Sequence, residues 1–524
     1  MSSSLITLLV LAITVALFIW DRLPVAVIAM MVPLALWASG VLTLNEAVAG
    51  FGDPTILFIA ALFVVSEALD ATGVTAWVGD RAMRTAGTSP TRLTVTIMLM
   101  VAVLTALITP NGSVAALTPV VVAIAIRGRR SPSELLLPAA FAAHAGSLLM
   151  LTGSPVTVVL ADYVQEVSGQ RIGLFSVALI GAPLLVITIV LTVLLGSRLV
   201  PTRTPRRALR DFGAHGSLLE AHYGLAGDEP AMGREVGVAE FIVPPRSPYV
   251  GDEVYTGMVT DSGNLVVVAA HHRGHDVDQE DRRGAFTLVT GDRLLLRGPW
   301  DALDLAAEDP GLLAVDEPEN VRRQAVPLGV GGKRALGILA GMVILLATGL
   351  VPPPVAGITA ALALVLTGVL SVEQAYRGIS WTTIIMVAGM MSLSVAMENS
   401  GAAEQLAGEL VSLIGQAGPY ALLAGLFVIT AVLGQLISNM ATALIVTPIG
   451  LAAAAEMSVS PVPILIAIAV FSAGALLTPV ATPANLVVME AAGYRFGDYW
   501  KLGLPLLVFY GLAGVFLVPV IWPF

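Results

Sequence analysis

The chain has 524 residues, 56% of them hydrophobic and 12% charged, with a net charge of −10 and no cysteine. Soluble domains carry about 25% charged residues, so an ordinary soluble protein is excluded, and without Cys so are disulfides and thiolate metal sites. The composition is that of an all-α polytopic membrane protein, and no nucleic-acid partner is expected.

Charge is unevenly placed. Between Glu235 and Glu319 there are 17 Asp/Glu against 6 Arg, a balance of −11, so the rest of the chain is near neutral. Apolar segments of near-spanning length fill roughly 4–199 and 335–523 around a polar region. The expected organisation is a first membrane repeat over 1–199, a linker over 200–224, a small α+β domain over 225–318, a linker over 319–333 and a second membrane repeat over 334–524. The junctions "VPTRTPRRALR" and "NVRRQAVPLGVGGKR" are basic and contain Pro, as membrane-proximal linkers do.

In chain order, the first apolar run, 5–20, resembles a signal peptide in length. It lacks a basic n-region and a small-residue cleavage site, and a second apolar run follows at once, so it reads as a retained transmembrane helix. Crossings follow at 24–42 and 55–71. The segment 93–126 is flanked by Arg81, Arg84 and Arg92 before and by Arg127, Arg129 and Arg130 after, which puts both ends on the cytoplasmic side. Its arms of about 15 residues fall short of the roughly 20 needed to span, so it reads as a re-entrant hairpin with its tip at Thr109 to Ser113 rather than as two crossings. Crossings at 134–168 and 174–199 close this half.

The second half has crossings at 335–351, 354–371, 383–400, 461–492 and 502–522, and a hairpin at 420–455 with its tip at Ser438 to Thr442. It repeats the first half: an offset of 328 places Gly50 on Gly378, Ser66 on Ser394, Asp70 on Glu398, Gly73 on Gly401 and Pro155 on Pro483. The second hairpin is flanked by Glu404, Glu409 and Glu456 without Lys or Arg, so its ends are expected outside. Five crossings plus one hairpin per half make the second half inverted. Arg22, the Arg-rich 198–210, Arg322, Arg323, Lys333, Arg334, Arg377, Arg495 and Lys501 then fall inside, the insert is cytoplasmic and both termini lie outside.

Polar residues inside these apolar runs are the candidates for chemistry, because an unpaired amide or hydroxyl in hydrocarbon costs several kcal/mol, roughly 2–7. "SNMAT" at 438–442 forms one cluster. The fourth crossing of each half is interrupted at "LTGSPVTVVL" from Leu151 and "LLTPVATPANLVV" from Leu476, where Pro is expected to free backbone carbonyls mid-membrane. Such carbonyls suit a hard cation, and nearby helix N-termini suit an anion, so each hairpin tip is expected to face a broken helix. The competing reading is helix packing, with interhelical hydrogen bonds of roughly 0.6 kcal/mol each; four tips and breaks in matched positions argue against it.

Those two stretches carry a family resemblance. "SNMAT" resembles the Ser-Asn-Thr hairpin-tip motif of the divalent anion:sodium symporter family of the ion transporter superfamily, and "ATPAN" at 481–485 is similar to its second signature, Gly/Ala-Thr-Pro-Pro-Asn. The resemblance implies a substrate site at Thr109, Asn111, Ser113, Ser154, Pro155, Thr157, Ser438, Asn439, Thr442, Thr482, Pro483 and Asn485. It implies Na+ ligands at Thr109, Asn111, Gly153, Ser438, Asn439, Ala481 and Asn485. The first half departs from the pattern: Thr109-Pro110-Asn111 replaces Asn/Ser-Asn-Thr, and Thr157 stands where an Asn is expected, which bears on ion stoichiometry and substrate identity.

Other polar features point elsewhere. Glu67, Asp70 and Glu398 lie near crossing ends, where snorkelling accounts for them, and Met390-Met391 is packing. "GVGGK" at 329–333 lacks the spacing and Ser/Thr of a phosphate loop. His271, His272 and His275 read as a solvated stretch, since adjacent residues of a strand point to opposite faces. The insert alternates strand and turn and resembles a TrkA-C type (RCK C-terminal) regulatory domain in Ser-Pro-x-x-Gly at 247–251 and Gly-Asp-Arg-Leu-Leu-Leu at 291–296. That implies dimerisation and a small regulatory ligand such as a nucleotide.

The sequence thus predicts a non-enzymatic, multi-pass plasma-membrane protein, expected as a homodimer. Its predicted function is Na+-coupled symport of a di- or tricarboxylate or sulfate. The alternatives are a proton-linked or uncoupled oxyanion or arsenite permease and a regulated ion channel.

Overall fold

The computed structural model describes residues 2–20, 22–75, 77–78, 81, 89–127, 130–203, 236–273, 275–276, 285–318, 321, 329, 331–414, 417–479 and 481–524. Most of both expected linkers, the start of the insert and Arg84, Arg129, Arg322 and Arg323 lie outside these residues. The chain forms two compact units, one of Met1–Ala68, Ala82–Ala208 and Leu336–Phe524, the other of Leu69–Arg81 and Leu209–Ala335.

The first unit is helical. Its first half contains α1 (Ser3–Trp20), α2 (Val25–Ala38), α3 (Leu44–Val48), α4 (Pro54–Ala71), α5 (Pro90–Leu107), α6 (Pro110–Arg127), α7 (Ser133–Gly146), α8 (Pro155–Ser168) and α9 (Ala178–Leu199). Among the described residues, eight helices of the chain are long and apolar enough to cross a membrane. Proline recurs as the first residue of a helix, at Pro90, Pro155, Pro353, Pro419, Pro461 and Pro483, where its missing N–H costs nothing.

The second unit holds β1 (Val236–Ile242), β2 (Glu253–Val254), β3 (Val266–His272), β4 (His275–Asp276), β5 (Phe286–Thr287), β6 (Arg293–Pro299), α10 (Trp300–Glu308) and β7 (Leu313–Ala314). Five strands form one antiparallel sheet in the order β4-β3-β6-β1-β7, and β2 pairs with β5. Phe241, Val267, Leu296, Trp300 and Leu303 are among its core residues, and a Cβ on Gly237 would strike the Trp300 ring. The Gly-Asp turn is fixed by Asp292, which is buried and accepts from His272 Nδ1 at 2.8 Å and from Val289 N at 2.9 Å. His272 is thus engaged by a carboxylate, and among the described residues no group of three acidic or His side chains is arranged to hold a metal. Ser247 Oγ donates to Gly311 O at 2.7 Å, which anchors the Ser-Pro-x-x-Gly turn.

The remaining helices belong almost wholly to the first unit: α11 (Gly332–Thr348), α12 (Pro353–Leu366), α13 (Val372–Gly378), α14 (Trp381–Asn399), α15 (Ala402–Ile414), α16 (Pro419–Leu436), α17 (Asn439–Glu456), α18 (Pro461–Ala473), α19 (Pro483–Ala492), α20 (Trp500–Leu512) and α21 (Val518–Ile521). Local geometry recurs at the offset of 328. Thr43 with Glu46 and Ser371 with Gln374 form matching capping boxes before α3 and α13, and Gly40 and Gly368 turn at φ 75° and 68°. Helices α7 and α18 are buried all round, as a helix apolar on every face should be at the centre of a bundle, whereas α9 exposes Leu179, Val186 and Leu194.

At one end of the bundle Arg203 ties the two halves together. Its guanidinium donates to Asp498 twice, Nε to Oδ2 at 2.9 Å and Nη2 to Oδ1 at 2.7 Å, and its backbone N donates to Ser133 Oγ at 2.8 Å. Tyr494 OH donates to Ser133 O and accepts from Leu137 N. Burial alone would raise the Asp498 carboxyl; the hydrogen bonds from Arg203 and from Arg495 N outweigh it and hold the group below the usual carboxylate range. A carboxyl depressed in the folded state contributes stability above its unfolded value of about 3.9 and loses it as pH falls through the folded value. The Tm difference between the natural protein and Asp498→Asn in detergent is therefore expected to be constant above about pH 5 and to shrink below about pH 4. Arg203→Lys should also lower Tm, because an ammonium cannot reproduce the two-pronged fork. A Tm difference that grows on acidification would refute this account.

Candidate functional site

The two interrupted crossings are built alike. The first runs through α7, an irregular stretch from Ser147 with a short turn at Leu151–Gly153, and α8; the second runs through α18, the stretch from Gly474 to Thr482, and α19. The expectation that Pro155 and Pro483 break a helix from within is corrected: each is the first residue of its helix. The break instead precedes them, where extended Ser154 (φ −148°, ψ 138°) and Thr482 (φ −146°, ψ 146°) cap α8 and α19 with their side-chain oxygens. Helices α9 and α20 lie against the start of each break. A Cβ on Gly181 would sit 2.4 Å from Leu148 O, and one on Gly503 would sit 2.1 Å from Leu476 O.

The hairpins turn in two residues, Ile108–Thr109 and Ile437–Ser438, between arms of 18 residues each. At 1.5 Å per residue these arms are about 27 Å long, longer than the sequence led us to expect. Within each half the end of the first arm touches the break. Thr152 Oγ1 donates to Ala106 O at 3.3 Å, and Gln435 clamps the second break by donating to Gly474 O at 3.1 Å and accepting from Leu477 N at 2.8 Å. Thr478 Oγ1 adds a bond to Gln435 O at 2.9 Å.

The first tip, however, reaches across the halves: Asn111 Oδ1 accepts from Ala484 N at 3.2 Å. The reason is the exchange of partners between the broken crossings, α8 packing on α18 and α19 on α7, which brings the start of α19 to α6. Asn485 is the centre of this region and is fully buried. Its Nδ2 donates to Ala475 O at 2.9 Å and to Thr478 O at 3.0 Å, its Oδ1 lies 3.1 Å from His144 Nε2, and its carbonyl accepts from Tyr499 OH at 2.6 Å.

Of the residues expected at the site, Asn111, Thr482, Pro483 and Asn485 come together here with Ala481 beside them. The others face their own surroundings. Thr109 Oγ1 accepts from Gly112 N, Ser113 Oγ pairs with Thr105 Oγ1 at 2.5 Å, and Thr157 Oγ1 donates to Leu151 O and Ser154 O around Gly153. Ser438 Oγ caps α17 at Ala441 N and donates to Met386 Sδ at 3.4 Å, and Thr442 donates back to Ser438 O. Asn439 is half-buried, and among the described residues no hydrogen bond joins it to Asn485. Sequence reasoning missed His144 and Gln435. Both are polar residues in apolar runs, "FAAHAG" and "LGQLI", and the test applied to Ser438 would have flagged them.

Apolar helices around two capped breaks and two polar tips define a multi-pass membrane transporter. The chain belongs to the citrate transporter family (CitMHS), whose model matches residues 15–470 and 413–524. It is 30% identical to the transporter YfbS of Escherichia coli (strain K12) over 603 aligned positions, which cover 98% of each chain. It is 29% identical to the probable sodium/sulfate cotransporter 3 of Chlamydomonas reinhardtii over 291 positions, 53% of this chain and 31% of that protein. The crystal structure of the Alcanivorax borkumensis YdaH transporter shares the fold, with a TM-score of 0.50, 15% identity, and 97% and 98% of the two chains covered. The family makes the chain a secondary anion transporter, not an enzyme.

Proposed function

We propose that this transporter carries a small di- or tricarboxylate or sulfate together with Na+ by alternating access, the two halves acting as inverted repeats with re-entrant hairpins. The observation that carries the reading is the meeting of the Asn111 tip with the second break: Asn111 Oδ1 accepts from Ala484 N at the start of α19, whose positive dipole end favours an anion, and Gly474 to Thr478 place carbonyls beside it. What supports re-entrant hairpins is that the breaks they touch fall between helical pieces of 14 and 14 and of 13 and 10 residues, away from the ends of those two crossings. Na+ is a co-substrate here, and the sodium/sulfate cotransporters among the relatives support it.

The substrate contacts fall to Asn111, Thr482 and Asn485, with Ala481 beside Asn485 for Na+; Thr109, Ser113, Thr157, Ser438 and Thr442, which the family resemblance also implies, hydrogen-bond within their own tips and break in this structure. The protein is a plasma-membrane homodimer with both termini outside and the 225–318 domain, of RCK C-terminal type, regulating it from the cytoplasm. A cavity of about 550 Å³ between α10 and the sheet is lined by apolar side chains with Asp252, Asp261, Asp301 and Asp309 and, among the described residues, by no Lys or Arg, which disfavours a nucleotide's phosphates there.

Uptake of radiolabelled sulfate, succinate and citrate into proteoliposomes, with and without an inward Na+ gradient, tests the reading. Saturable uptake of one of these anions, raised at least about tenfold by Na+, is expected. Saturable uptake indifferent to Na+ would remove the coupling and leave the oxyanion or proton-linked alternative, and non-saturable flux would indicate a channel.

A further inference from the structure

His144 is a fully buried side chain that neither the signatures nor the family model assigns a role. It stands on the last turn of α7, in the first half, yet its hydrogen-bonding partner is Asn485 of the second half. The bond's polarity follows from counting donors. Both hydrogens of Asn485 Nδ2 are spent, on Ala475 O and Thr478 O, so Oδ1 is the face left for His144 and the imidazole must carry its hydrogen on Nε2. Thr482 Oγ1 lies 3.5 Å from the same nitrogen and itself accepts from Asn485 N, so the imidazole also abuts the cap of α19.

The other half shows that the fold does not require such a link. At the offset of 328, Ser472 occupies the place of His144 and Thr157 that of Asn485. Thr157 spends its hydroxyl hydrogen on break carbonyls, Leu151 O and Ser154 O, as Asn485 spends its amide. Ser472 Oγ is buried and has no hydrogen-bond partner among the described residues. A buried helix of the same kind therefore tolerates a small side chain that makes no cross-link, and the His144 contact is a device of the second break alone.

We infer that His144 is a positioning residue for substrate binding: its Nε2–H holds the Asn485 amide in the one orientation that satisfies the second break and presents the start of α19 to the anion. The inference rests on the proposed anion site, and two readouts separate its failure from failure of that reading. The first is independent of transport: in the full chain carrying ¹⁵N-histidine, with His144→Gln used for assignment, the His144 resonances should report the Nε2–H tautomer. An Nδ1–H tautomer would overturn the inference. The second compares uptake of whichever of sulfate, succinate and citrate the natural protein carries. His144→Ser, which places at 144 the residue found at 472, should raise KM about tenfold with kcat nearly unchanged, because it removes a bond made before transport begins. His144→Gln, whose amide can still donate to Oδ1, should restore KM to within about threefold. Equal impairment of both variants, or KM unchanged in His144→Ser, would overturn the inference, whereas absence of uptake by the natural protein would overturn the proposed function and leave the tautomer to decide the role of His144.

Discussion

Asn485→Ala is expected to abolish saturable anion uptake in proteoliposomes while the protein still inserts and elutes as a single species. The amide serves Ala475 O, Thr478 O and His144 Nε2 at once, and alanine removes that partner from both carbonyls and leaves His144 Nε2 only Thr482 Oγ1 at 3.5 Å, all in a fully buried place. Each orphaned group costs about 1–3 kcal/mol if nothing rearranges, so the break will rearrange instead. The geometry it gives up is the one that places Ala484 against Asn111 and caps α19 with Thr482. A shift of about 3 kcal/mol in favour of another arrangement would cut the binding-competent population more than 100-fold. Asn485→Asp is the sharper variant. It preserves shape but turns acceptor oxygens toward two carbonyls, so it should fail as completely as alanine. Uptake by either variant within about threefold of the natural protein would remove Asn485 from the transport machinery.

That prediction also shows how far the sequence could be read. The motif "ATPAN" drew attention to Asn485 and the offset of 328 to its counterpart, because an amide or proline in an apolar run is conspicuous and repetition makes it more so. Long apolar helices were legible to within a few residues from hydrophobic runs bounded by Pro and Gly, as α4 and α14 illustrate. Partner choice was not legible. Nothing in a one-dimensional pattern says that α8 packs on α18 and α19 on α7, so pairing each tip only with the break of its own half missed the bond from Ala484 to Asn111. His144 was passed over for the same reason: its partner lies 341 positions away, and only the cross-packing makes the pair. The prolines were misplaced by one step of logic, since Pro at the first position of a helix and Pro inside one look identical until the cap before it is seen.

The cross-packing of the halves carries its own consequence for stability, at two matched helix crossings where small residues meet. At one, Gly389 of α14 lies so close to α2 that a Cβ would sit 2.3 Å from Ala29 O. At the other, Gly357 of α12 faces α4, and a Cβ would meet the Phe58 ring at 2.7 Å and Ala61 Cβ at 3.2 Å. An offset of 328 relates Ala29 to Gly357 and Ala61 to Gly389, so the same pair of positions is used twice with the glycine on opposite members. The obstacles differ in kind: Ala29 O is backbone of a packed helix and cannot yield without moving the helix, whereas the Phe58 ring can turn. Gly389→Ala should therefore cost at the upper end of the about 1–3 kcal/mol typical of overpacking, and Gly357→Ala well under that. Both substitutions gain the same helix propensity of about 1 kcal/mol, so the comparison between them isolates packing. In detergent, Gly389→Ala should lower Tm by several degrees or prevent recovery of folded protein, while Gly357→Ala should stay close to the natural Tm. A Phe58→Leu change should relieve whatever strain Gly357→Ala retains and do nothing for Gly389→Ala. If the two glycine variants proved equally tolerated, backbone contact at the α2–α14 crossing would not be what sets how closely the two halves pack.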